Sequence, residues 1–118
     1  MKTEKKETGF RVLAARARAV ADSHRSGSGG RVVIAVIGRD RPGIMAGVTA
    51  ILAKRGANIL DVSQTIMSEL FTMIMLVDIK GITVSFAELK KDLDAHGARE
   101  GLSIITQHED IFRAMHRV

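Results

Sequence analysis

The chain has 118 residues, 46% of them hydrophobic, no cysteine and a formal net charge of +5. That length suits one small domain with its own core. It excludes disulfides, thiolate zinc sites and cysteine nucleophiles, and with no run of eighteen apolar residues it argues against a membrane span.

Residues 1–30 read as a separate part. They carry seven Lys/Arg against three Asp/Glu, whereas residues 31–118 carry eleven against ten. Phe10, Leu13, Ala17 and Val20 recur at helical spacing with Arg11, Arg16 and Arg18 between them. Ser26-Gly27-Ser28-Gly29-Gly30 then reads as a flexible linker. The expected division is a basic extension over 1–30 and a single domain over 31–118. No secretory pattern opens the chain, and a cytoplasmic location is expected.

The β-branched run Val32 to Ile37 predicts a first strand over 31–38. Residues 42–55 follow as a helix, with Ile44, Val48, Ile51 and Leu52 on one face and Gly56 as its stop. Strands are predicted over 58–67 and 71–79, and the short connection Ser68-Glu69-Leu70 makes them an antiparallel hairpin. Ser85-Phe86-Ala87-Glu88 is a reciprocal capping pattern that opens a second helix, ending between His96 and Gly101. A fourth strand over 102–108 leads to a short helix from Glu109 or Asp110. The order β-α-β-β-α-β defines an α+β, ferredoxin-like plan: a four-stranded antiparallel sheet with two helices on one face, plus a C-terminal helix.

The open face is not polar. Phe71, Met73, Met75 and Val77 point one way in the third strand, and Thr72, Ile74 and Leu76 the other. The first strand is apolar on both sides as well. Both faces are expected to be covered, and self-association into a homodimer is expected to supply part of the cover.

Chemistry concentrates at the turn Gly38-Arg39-Asp40-Arg41-Pro42-Gly43-Ile44. Pro42 fixes φ and lacks an N–H, which suits the entry to a helix. Gly43 removes the Cβ where the helix begins. Bare backbone donors there attract a carboxylate or phosphate. Asp40 reads either as a ligand contact or as a helix cap. Asn58, at the start of the second strand, reads either as a ligand contact or as a partner of the loop backbone.

These residues also carry a resemblance. Val36-Ile37-Gly38-Arg39-Asp40-Arg41-Pro42-Gly43-Ile44, with Asn58-Ile59 opening the next strand, resembles the ACT domain over about residues 31–109. Asp61-Val62-Ser63-Gln64-Thr65, Phe71-Thr72-Met73 and the ending Ile111-Phe112-Arg113-Ala114-Met115 look like small stand-alone ACT proteins of unassigned role. The resemblance implies a regulatory module that binds an amino acid or similar metabolite near a pairing surface. It implies a site formed by Asp40, Arg41, Pro42, Gly43, Ile44, Asn58 and Ile59.

No metal site, cofactor or catalytic centre is expected. The four His lie apart at 24, 96, 108 and 116, and the first turn has no nucleophile–base pair. Asp92 and Asp94 read as solvated charges on different sides of a helix. With only Phe71, Phe86 and Phe112 as aromatics beyond residue 30, nucleic-acid binding is not expected. The alternative function is a protein-interaction adaptor, using the apolar sheet face or the basic N-terminal segment to dock an unknown target.

Overall fold

The computed structural model describes residues 30–115. Its elements run β1 (Arg31–Arg39), α1 (Ile44–Lys54), β2 (Asn58–Met67), β3 (Leu70–Asp78), α2 (Phe86–Glu100), β4 (Ser103–His108) and α3 (Glu109–Met115). The strands form one antiparallel sheet in the order β2-β3-β1-β4, the expected ferredoxin-like arrangement. The N-terminal helical pattern and the linker, residues 1–29, lie outside the described residues, as does His116.

Alternation in the central strands sorts the core into two layers. Val32, Ile34 and Val36 of β1 and Phe71, Met73, Met75 and Val77 of β3 face α1 and α2, where Ile44, Val48, Leu52, Leu89 and Leu93 complete the larger cluster. Both helices therefore cover one face. Val33, Ala35, Ile74 and Leu76 form the opposite layer, joined by Phe112 of α3. A β-bulge between Ile59 and Asp61 inserts one residue into β2 and changes which side chains share a face. Ile59, Val62 and Ile66 consequently lie opposite Val77, Met75 and Phe71, on the helix side.

Local chemistry sets the helix ends. Ser85 Oγ accepts from the Glu88 N–H at 3.1 Å, the forward half of the capping pattern. Gly101, in the left-handed region at φ 69°, ends α2, and the Leu102 N–H returns to the Gly97 carbonyl at 2.9 Å. Asp92 is not merely solvated: it accepts from Arg55 Nε at 2.8 Å and ties α2 to the end of α1. Asp94 pairs with Lys90 on the helix surface.

Candidate functional site

The turn after β1 lies where three elements converge. The Asp40 N–H donates to the Glu69 carbonyl at 2.8 Å, which pins the turn to the β2–β3 hairpin. Arg41 donates to the Glu100 carbonyl at 2.9 Å and to its carboxylate at 3.3 Å. The Arg41 guanidinium thus meets free carbonyls at the C-terminus of α2, where a cation is favoured. Pro42 is exposed and precedes the helix rather than entering it.

Helix α1 starts at Ile44, two residues later than its sequence pattern predicts. Gly43 is its N-cap at φ 89°, a conformation L side chains rarely adopt. No side chain caps the helix, so Asp40 does not fill that role, and the first turn holds no acidic residue. A Cβ added at Gly43 would meet nothing within 4 Å. The first N–H groups of α1 thus have no side-chain cap, at the end of the helix where the dipole potential is positive. Ile44 turns inward and is buried.

Asn58 and Ile59 lie elsewhere. Asn58 pairs with Asp78, and Asp78 pairs with Arg31 at the start of β1, whereas Asp40 follows the end of β1. Within one chain α1 separates the two groups, about 16 Å for its eleven residues. Asp40, Arg41, Pro42, Gly43 and Ile44 form one corner; Asn58 and Ile59 form another. The second corner borders a shallow groove of about 500 Å³ between α1 and β2, lined by Ala46, Thr49, Ala50, Ala53, Ala57, Asn58 and Ile59. Sequence reading did not single out this groove. Its signal was the recurrence of small residues on the outer face of α1.

The edge beside the groove is also informative. Among the described residues β2 pairs only with β3, and its Val62 and Ile66 are 38% and 51% exposed. A ten-residue edge strand without Lys or Pro, with Val62 and Ile66 exposed on it, is a surface able to pair. Among the described residues no group of three or more His, Cys, Asp or Glu converges as a metal site. The His108 ring instead packs on Phe86 with centroids 4.2 Å apart. No helix among the described residues is long and apolar enough to cross a membrane.

A split β-α-β sheet in the order β2-β3-β1-β4, with α1 and α2 on one face, defines a ferredoxin-like module. The chain belongs to the ACT domain family, whose match covers residues 30–107. ACT domains are regulatory modules that bind small molecules. A UPF0237 protein of Methanocaldococcus jannaschii is 59% identical over 88 residues, covering 75% of this chain and 98% of the relative. An ACT domain protein from Streptococcus pneumoniae matches with a TM-score of 0.62 and 38% identity, over 72% of this chain and 96% of that one. The ligand-free regulatory subunit of aspartate kinase from Thermus thermophilus matches with a TM-score of 0.52 and 25% identity, over 68% and 52%.

Proposed function

We propose that this protein is a non-catalytic sensor of an amino acid or similarly small carboxylate-bearing metabolite, bound at the Asp40–Ile44 turn where two copies meet. The observation that carries the reading is the uncapped N-terminus of α1: open at Gly43, with no side-chain acceptor and no acidic residue in its first turn. A ligand carboxylate satisfies those N–H groups. Asp40 and Glu69, whose backbones are joined by the 2.8 Å bond, supply negative charge in the same region for a ligand's ammonium group.

Asn58 joins this site through the partner. Two β2 strands pairing antiparallel about a two-fold axis near Val62–Ser63 would set the partner's Asn58 opposite Met67. Met67 precedes the Ser68–Glu69 turn, whose Glu69 carbonyl holds Asp40. The two corners that α1 keeps apart in one chain thus meet across the dimer. Binding then favours the dimer by linkage, because the complete site exists only there. The regulatory nature of the family, and of the aspartate kinase subunit, supports a sensor role.

Calorimetric titration with the twenty amino acids tests the reading. Heat from at least one, lost in Gly43→Val while the fold persists, is the expected result. No heat and no thermal shift with any of them contradicts it.

A further inference from the structure

We infer that the outer face of α1 and the free edge of β2 form one surface that a second copy of this chain covers, with the partner's Ile66 seated in the groove between them. The pairing of subunits is that of the proposed sensor, on which this rests, but no ligand is needed. Helix α1 makes the demand. Its exposed positions are Met45, Ala46, Ala50, Ala53 and Lys54, so the charge among them stands only in the last turn. Helix α2, on the same side of the sheet, turns Glu88, Lys90, Lys91, Asp94, Arg99 and Glu100 outward. A helix with one face in water carries charges there, and one that is apolar all round belongs in an interior. Among the described residues the small-residue side of α1 stays open and borders the groove at Ile59.

The uncharged strip continues onto β2. Val62, Gln64 and Ile66 are exposed on its helix side, and Asp61 is the one charge in the strand. Met45, Val62 and Ile66 are three of the five large hydrophobic side chains exposed among the described residues, so most of that exposure gathers here. Ten residues of strand edge, about 33 Å long and 10 Å high, offer about 330 Å². A stable pair of proteins buries about 800 Å² on each partner. Backbone pairing alone falls short of that, and the α1 side of the groove supplies much of the difference.

What selects a second copy is the fit of the strand to itself. With a two-fold axis at Ser63, antiparallel pairing sets Val62 against the partner's Gln64 and Asp61 against the partner's Thr65. Leu60, the extra residue of the bulge, is passed over, and Ile59 then meets the partner's Ile66. Each of these pairs shares a face of the sheet, as the pleat requires. Ile59 lines the groove, so the partner's Ile66 lands on the groove floor beside Ala53 and Ala57. The axis repeats the contact at the other end of the seam. The small side chains of α1 are the room that this isoleucine needs. Charge does not oppose the fit: the two Asp61 stand about 13 Å apart along the seam, beyond the reach of a screened surface charge.

The absence of native cysteine makes the test direct. Ser63→Cys in the full chain places two thiols at the axis, and Ile105→Cys on β4, 41% exposed, is the control. Mild oxidation should give a disulfide-linked dimer severalfold faster at position 63 than at position 105. Sedimentation then tests the groove. Ala50→Glu on α1 and Ile66→Asp on β2, each with its fold verified by thermal unfolding, should each raise the dimer dissociation constant about tenfold or more, because each buries a charge in the seam. A chain that stays monomeric, or that oxidises no faster at 63 than at 105, overturns the proposal. Fast linking at 63 with association untouched by Ala50→Glu overturns it too, because the strands then pair with the groove empty. None of these readouts involves an amino acid. A dimer of this kind that gives no heat with any of the twenty upholds the surface and removes the sensor, whereas amino-acid binding by a monomer does the reverse.

Discussion

A Cβ placed on Gly97 would stand 2.8 Å from the Leu102 carbonyl oxygen and 3.3 Å from Ile104 Cγ1. Helix α2 therefore approaches β4 through bare backbone, and the obstacle is a carbonyl fixed at the turn into β4. Gly97→Ala should lower stability by about 1–3 kcal/mol through overpacking. Gly47→Ala is the contrast. Its Cβ would lie 2.8 Å from His96 Nε2, the end of a side chain that can turn aside, while alanine gains roughly 1 kcal/mol of helix propensity. Urea denaturation should separate the two; equal losses would contradict the assignment of Gly97 as the tighter contact.

The Arg31–Glu109 pair predicts an asymmetry. Glu109→Ala leaves a buried guanidinium without its carboxylate and should cost about 3–5 kcal/mol. Replacing both, as Arg31→Met with Glu109→Leu, should recover most of that loss, since the desolvation of two charges is removed with their attraction. Denaturation midpoints of the single and double variants check it. A double variant no better than the single one would mean that the pair is a net stabiliser.

At Gly43 the expected cost is conformational. A side chain there meets no neighbour but must adopt φ near 89°, so Gly43→Ala should destabilise by about 1–2 kcal/mol without loss of fold. Circular dichroism and thermal unfolding measure this independently of any ligand. A neutral substitution would show that the turn relaxes to negative φ.

The β2 edge gives a prediction about association. Val62→Lys places a charge on the helix-side surface of the free edge, a device that blocks strand pairing. The variant should sediment as a smaller species than the parent while keeping its fold. Unchanged sedimentation would move any dimer contact away from β2.

Much of the fold was legible because its signals are local. Alternation in β1 and β3, the Ser85 cap and the glycine stops at 56 and 101 each act over a few residues, and together they order the elements. The two-layer core followed from strand parity alone. The site was legible only in part. The bulge at Leu60 changes parity within β2, and nothing in Asn58-Ile59-Leu60-Asp61 announces it. Arg41 finds Glu100 fifty-nine residues away, and Arg31 finds Glu109 seventy-eight away. Such pairings depend on how the sheet is assembled. The same holds for Asn58: adjacency in a motif suggested one site with Asp40, yet the antiparallel sheet sends the start of β2 to the end opposite the turn.

If one ligand is held by the turn of one copy and Asn58 of the other, mixing two defective chains should restore a site that neither has alone. Gly43→Val damages every turn and Asn58→Ala every partner contact, so each variant alone should give little or no calorimetric signal with the amino acid that binds the parent. A heterodimer of the two retains one undamaged site, built from the turn of the Asn58→Ala chain and Asn58 of the Gly43→Val chain. Binding should return in part on mixing. A mixture as silent as its components, with exchange of subunits verified, would contradict it.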